Sequence, residues 1–446
     1  MLVFFSDVHL TDGTSGETIN AGAFDLFADQ VAELAQKRLA REVRLVLLGD
    51  GLDVIRSTRW LDDPHGPRPW SEAGPEQENL ALEILRAILD TNRQALEFLS
   101  ELPGRVGSRT EGKVMADQVR LNYVLGNHDW LINRYPSTRA LVAERLNLPP
   151  RYAEEGFPLD FASPPEVYNV VARHGDVYDS LNYDASAGRN ASSLGDAIVV
   201  ELVNRFPLEV ARELAGHAAC DDAVRRLREI DNVRPLSLIP AWVVETIAGL
   251  EKDEPGTARA VQRAVRRCVD EFRSADAYRQ FARRQLGPAE RAFLGLILNG
   301  LRRQKAGALE LWTRRAMPIL KAAAPVAKHC PWVAKHLPRE YAEHALGERH
   351  ADGQLPRFVV YGHTHRVETV PLEPQSRDDG GRFYVNSGTW RAVWEQGQTS
   401  DASRHFDSWK VMSYLAIYSA EEGRGKHEFE IWTGSLRDRR GMAPQD

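Results

Sequence analysis

Cysteine is scarce in this chain: three in 446 residues, at Cys220, Cys268 and Cys330. So sparse and odd a set supplies no disulfide framework and no CxxC pair, and the three read as core residues in a reducing compartment. Long apolar runs are missing too, since no stretch reaches the ~18 uninterrupted apolar residues of a membrane span. The opening Met1-Leu2-Val3-Phe4-Phe5 has no basic leader and no small-residue cleavage site, so no secretory signal and a cytoplasmic location are expected. There is no internal repeat and no low-complexity tract. At 43% hydrophobic and 27% charged residues, the composition is that of an ordinary folded chain with one large core or two smaller ones.

Short apolar runs ending in polar residues predict strands at Leu2–Ser6, Val43–Gly49, Leu121–Gly126, Val167–Arg173 and Phe358–Gly362. Later ones are expected at Arg382–Asn386, Val411–Tyr418 and His427–Trp432. Between the early strands, a helical stripe runs over Ala23–Ala40 through Phe24, Phe27, Val31, Leu34 and Ala35. A second covers Glu76–Leu102 through Leu80, Ile84, Ala87, Ile88 and Leu99. Alternating strands and helices followed by strand-rich sequence predict a layered α/β sandwich. From about Ala191 to Leu346 the chain turns rich in Ala, Leu, Arg and Glu, with breaks at Pro207, Pro235, Pro240, Gly256, Gly287-Pro288 and Pro325. The expected plan is a core over residues 1–190 and 351–446, split by a helical cap over 191–350.

Five of the apolar runs end in metal-ligand residue types. They give Asp7-Val8-His9, Gly49-Asp50-Gly51-Leu52-Asp53, Gly126-Asn127-His128-Asp129, His174-Gly175-Asp176 and Gly362-His363-Thr364-His365. Each alone is weak, because Gly, Asn and Asp all suit turns. As a set they place carboxylates and imidazoles at strand ends, where ligands gather in α/β sheets. Two divalent cations need several such ligands and an open side. A mixed oxygen and nitrogen set suits Mn, Fe or Zn better than Ca.

In order and content these motifs resemble the calcineurin-like metallophosphoesterases. The resemblance implies a four-layer α-β-β-α sandwich, here carrying a large helical insertion. It implies that Asp7, His9, Asp50 and His365 hold one metal ion and that Asp50, Asn127, His174 and His363 hold another. Manganese is favoured, with iron or zinc as alternatives. His128 matches the catalytic histidine, and Asp53 the acid that orients it. The implied reaction is hydrolysis of a phosphoester or phosphoanhydride, of nucleotide type, by water activated between the ions. Asp129 and Asp176 read as structural, and Asn386-Ser387-Gly388-Thr389 as support near the metals. In finer detail, the segments around Asp7, Asn127 and His174 are similar to the UDP-2,3-diacylglucosamine pyrophosphohydrolase branch. Two departures separate the chain from it: His128 stands where that branch usually has arginine, and the insertion is long and charged rather than short and apolar.

From Pro255 to Arg349 the chain carries 19 Lys or Arg against 8 Asp or Glu, an excess of 11. Arg266-Arg267, Arg283-Arg284, Arg302-Arg303 and Arg314-Arg315 recur along it. Two readings compete: solvated helix faces with internal ion pairs, or a basic rim that attracts a polyanion. The second makes the protein a nuclease gripping DNA or RNA through the cap. A third reading is a non-catalytic interaction scaffold, which predicts eroded ligand positions.

Overall fold

The computed structural model describes residues 1–16, 18–234, 238–302, 340–373, 381–397, 405–423, 425 and 428–436. Cys330, Pro325 and the Arg314-Arg315 pair lie outside them. The chain is mixed α/β with two mixed sheets. The first joins β1 (Leu2–Phe5), β2 (Val43–Leu48), β3 (Val119–Val124), β10 (Phe406–Tyr418) and β11 (Glu428–Leu436) in the order β11-β10-β1-β2-β3, with β9 (Ala392–Gln396) on β10. The second has the order β4-β5-β6-β8-β7, from β4 (Asp160–Ser163), β5 (Val170–Arg173), β6 (Phe358–Tyr361), β7 (Val367–Glu373) and β8 (Arg382–Ser387).

The sheets share a core because their strands are apolar on both faces. Leu2, Phe4, Val46, Leu48 and Val124 of the first sheet pack with Val170, Ala172, Phe358, Val360 and Val385 of the second. The outer face of the first sheet, with Val3, Phe5, Leu45 and Tyr123, is covered by the helices Ala21–Lys37, Pro75–Thr91, Arg93–Arg109 and Pro136–Arg145. Helix Glu340–Ala345 puts Tyr341, Ala342 and Ala345 against Val359, Tyr361 and Tyr384 on the outer face of the second. The single helix expected over Glu76–Leu102 is two. Asn92 departs from helical geometry between them, and its side-chain amide donates to the carbonyls of Ile88 and Thr11 (2.7 and 2.8 Å).

Strands β5 and β6 are parallel neighbours, Val170 opposite Phe358, yet nearly all of the long insertion lies between them in sequence. Its helices, among them Arg205–Glu213, Ile239–Asp253, Thr257–Ser274 and Pro288–Arg302, bury a separate apolar cluster around Leu194, Val210, Trp242, Val261, Val265 and Phe272. The amphipathic spacing in Thr257–Ser274 explains this, since Ala260, Val261, Ala264, Val265, Cys268 and Phe272 form one buried stripe. The insertion also docks on the core. Arg234 N–H donates to the carbonyl of Trp394 (2.8 Å), and Asn204 to those of Ile55 and Ser57 (3.0 and 3.3 Å). Among the described residues, no helix is long and apolar enough to cross a membrane.

Trp390 locks the first sheet to its helices and to the first motif. It is fully buried, packs on Phe5, Phe24 and Phe27, and donates its indole N–H to Ser413 (2.6 Å). Its backbone N–H reaches the Asp7 carbonyl (3.2 Å). Trp390→Ala is expected to lower unfolding free energy by about 3–5 kcal/mol in a urea titration. A loss below about 1 kcal/mol would show that the packing around it collapses without cost.

Candidate metal centre

The five motifs meet where β1, β2, β3, β5 and β6 end. The loop after β1 is zipped to the loop after β2: Asp7 N–H donates to Gly49 O (3.1 Å), His9 N–H to Asp50 O (2.9 Å) and Leu10 N–H to Gly51 O (2.9 Å). Across the other sheet, Gly362 N–H donates to His174 O (2.9 Å). The segment after β8 braces both sides. Asn386 donates to Gly362 O (2.6 Å), Thr389 Oγ1 donates to Asp7 O (2.9 Å), and the Ser387 and Ser6 hydroxyls share a hydrogen bond (2.7 Å).

Backbone geometry turns the side chains inward. Asp7, His9, Asp50, His363 and His365 all adopt left-handed φ, between 48° and 69°. Outside glycine this costs about 1 kcal/mol or more each, and such strain gathers at functional sites. Two glycines permit the close approach. A Cβ at Gly126 would lie 2.7 Å from the His174 ring and collide with the Asp50 carboxylate, and one at Gly362 would stand 2.7 Å from Asp7 Oδ2.

Three groups of candidate ligands result, each with ligand atoms within 4.8 Å of one another: Asp7, His9 and His365; Asp50, His174 and His363; and His9, Asp53 and His128. Asp50 connects the first two, with Oδ2 at 3.1 Å from His174 Nε2 and 3.6 Å from His9 Nε2. Asn127 follows Gly126, whose backbone runs against Asp50 and His174, and its side-chain amide donates to Asn182 Oδ1 (3.3 Å). The third group is a hydrogen-bonded clamp. Asp53 accepts from His9 Nδ1 (2.7 Å), His128 Nδ1 (2.8 Å) and the Arg56 N–H (3.0 Å), so its oxygens are already engaged by hydrogen bonds. The clamp turns His9 Nε2 toward Asp7 and Asp50.

The same logic orients the other rings. His174 donates Nδ1–H to Leu48 O (2.9 Å), which turns its Nε2 toward Asp50. His363 Nε2 lies 3.1 Å from Asp179 Oδ2. A histidine ligand held by a carboxylate or carbonyl on its other nitrogen is the usual construction of a metal site. Three buried atoms test the fit of a cation directly. Asp7 Oδ1, Asn127 Oδ1 and His174 Nε2 have no hydrogen-bond partner; His174 Nε2 is at ion-pair distance from Asp50 but off the hydrogen-bond direction. Left so, Asp7 Oδ1 and Asn127 Oδ1 would each carry an uncompensated desolvation cost that a cation would relieve, and a cation could take the place of the proton on His174 Nε2. These buried Asp and His groups are positioned to bind a metal ion.

Electrostatics agree with that arrangement. Burial, followed by the Arg391 charge, lowers His9 to about 4, so it is neutral and able to ligate at pH 7. Burial raises Asp7 to about 6. Burial alone would lower His128 and His174. Asp53 and Asp50 instead raise His128 to about 9, and Asp50 with Asp7 raises His174 to about 10. Burial works against the Asp50 carboxylate too, but the His174 and His128 charges hold it well below the usual range.

Several contributors carry no signal in the sequence. Asp179 follows no motif, and Ser6, which donates to Asp7 Oδ2 (2.5 Å), is an ordinary strand-end serine. Arg234, from the insertion, brings Nη2 to 2.6 Å from His365 Nδ1. Arginine can only donate, so the His365 proton sits on Nε2, which meets His9 Nε2 (3.3 Å) and lies 3.2 Å from Asp7 Oδ1 off the hydrogen-bond direction. To ligate through Nε2, His365 would need the other tautomer. Asp129 accepts from Gly51 N–H (3.0 Å), Gly126 N–H (2.5 Å) and Tyr123 OH (2.7 Å), fixing two loops. Asp176 is buried within 3.5 Å of Arg189.

Among the described residues of the insertion's basic stretch, several arginines are paired, while residues 303–339 lie outside the described part. Arg263 and Arg267 reach Glu213, Arg267 also Glu209, Arg302 meets Asp270, and Arg284 meets Asp184. Glu209, Glu213 and Asp184 lie before Pro255, outside the segment whose charge is so unbalanced. Neither protein-family models nor curated proteins give a match to this chain.

At pH 7 the ion-free site holds a proton on His174 that a metal must displace. Metal affinity is therefore expected to rise with pH from about 6, where Asp7 ionises, toward about 10. Calorimetry in buffers of different ionisation enthalpy should show proton release on Mn binding at pH 7. Binding without proton release would contradict the charge state assigned to His174.

Proposed function

We propose that the protein is a phosphohydrolase of calcineurin-like type that uses two divalent metal ions. The observation that carries this reading is the trio of buried, unpartnered ligand atoms on Asp7, Asn127 and His174, set among carboxylates and imidazoles. Two face-packed sheets with helices on both outer faces support the four-layer arrangement that the motif resemblance implies. Asp7, His9, Asp50 and His365 would hold one ion, and Asp50, Asn127, His174 and His363 the other. Mixed oxygen and nitrogen donors favour manganese, iron or zinc, and manganese is the choice made here. Such ions supply an acidified water at neutral pH and neutralise charge on phosphoryl oxygens.

The chain's own residues supply the rest. Asp53 fixes the His128 ring through Nδ1, so Nε2 is the nitrogen open to the site, and the side chain is 15% exposed. With its pKa raised to about 9, His128 holds a proton at pH 7. It can therefore donate a hydrogen bond to the phosphoryl group and protonate the departing oxygen. The substrate class is a phosphate ester or anhydride, with nucleotide-type compounds as first candidates. The ion pairs of Arg263, Arg267 and Arg302 favour the solvated-face reading of those arginines over a nuclease grip. The presence of every ligand position weighs against an inert scaffold.

Purified protein is expected to carry close to two metal equivalents and to turn over bis-nitrophenyl phosphate with manganese. His128→Ala should lower kcat by about 10²–10⁴ while retaining metal. No turnover with manganese, iron or zinc would sink the enzymatic reading. Full activity in His128→Ala would remove the acid role alone.

A further inference from the structure

Three arginines crowd beside the candidate metal centre, each from a different part of the chain. Arg56 follows the Asp50-Asp53 motif, Arg391 follows the segment after β8, and Arg234 comes from the insertion. They are 1%, 3% and 9% exposed. Asp231 is the carboxylate that gathers them: Arg56 Nη2 lies 3.0 Å from Oδ1 and Arg391 Nη2 3.0 Å from Oδ2. Arg234 makes no such ion pair among the described residues. Its Nη1 donates to the carbonyls of Asp231 and Val233, and its Nη2 meets His365. Arg56 Nε has no hydrogen-bond partner among the described residues.

Guanidinium groups do not shed their protons at any pH a folded protein survives, so burying three of them requires offsetting negative charge. Asp231 offsets one. Glu229 lies within electrostatic reach of Arg56 and Arg391 and accepts from Asn232. Asp53 and Asp7 also act on the cluster, but Asp53 is engaged by His9 and His128, and Asp7 faces His365. The least compensated group is Arg234, which is also the one in contact with the metal centre.

We infer that Arg234, backed by Arg56 and Arg391, forms a subsite for a second anionic group of the substrate, next to the phosphoryl group attacked at the metal centre. The placement rests on the phosphohydrolase reading. The chemistry required is an oxyanion, phosphate or carboxylate, that accepts the forked donors of Arg234. A substrate with one negative group would leave this charge unused. The insertion thus contributes to selectivity through one side chain rather than through a basic surface.

The test is calorimetric titration of metal-loaded, desalted protein with inorganic phosphate, pyrophosphate and phosphonoacetate. Wild type should bind at least one of the two probes that carry a second anionic group ten times more tightly than phosphate; which one tells phosphate from carboxylate. In Arg234→Ala that preference should fall to within threefold, and Arg234→Lys, which keeps the charge but not the fork, should retain part of it. No preference in wild type, or a preference that survives in Arg234→Ala, overturns the subsite. If Arg234→Ala fails to fold, Arg234→Lys decides: an undiminished preference there overturns the forked recognition. Turnover of bis-nitrophenyl phosphate by the same wild-type preparation reports separately on the hydrolase. An Arg234-dependent preference without turnover would keep the subsite and sink the hydrolase.

Discussion

Six carboxylates, those of Asp7, Asp50, Asp53, Asp129, Asp176 and Asp179, are buried to 3% exposure or less around the ends of five strands. Removing that much negative charge from water is tolerable only if positive charge or hydrogen-bond donors come with it. Every local feature answers this demand. Backbone N–H groups of Gly51, Gly126, His128 and His363 point at carboxylate oxygens. Imidazoles of His9, His128, His174 and His363 meet others. What the protein itself leaves unmet, on Asp7, Asn127 and His174, has the chemistry of a cation site.

The framework for this arrangement costs energy locally and recovers it globally. Five ligand residues sit in left-handed backbone conformations that unstructured peptide would avoid. They are held there by sheet cores on either side, by Trp390 against the Asp7 carbonyl, and by the Asn386–Thr389 segment. Strain of this kind means the fold itself sets the directions of these candidate ligand side chains.

Much of this was legible from sequence because strand ends are marked by a change from apolar runs to ligand residue types. β1, β2, β3, β5 and β6 could be read that way, and with them the motif residues, while β8, β10 and β11 showed as apolar runs. β4, β7 and β9 could not, since Asp160–Ser163, Val367–Glu373 and Ala392–Gln396 are short, half-exposed or polar. The break at Asn92 was hidden because Asn within an otherwise regular stripe carries little penalty in pattern alone; its amide finds Thr11, more than 80 residues away in sequence. Asp179, Arg234 and Asp231 were invisible for a related reason. Their roles come from long-range contacts, and the charge excess after Pro255 left two readings open because the partners of Arg267, Glu209 and Glu213, precede it.

The pairing of β5 with β6 has a bearing on how such a molecule divides its tasks. Val170 faces Phe358 in direct register, so the helices that follow Asn182 are set off from the strand ends that carry His174 and His363. On the proposed hydrolase reading, the chemistry would be written into rigid strand ends and the choice of substrate into a separate helical insertion that reaches the centre through Arg234.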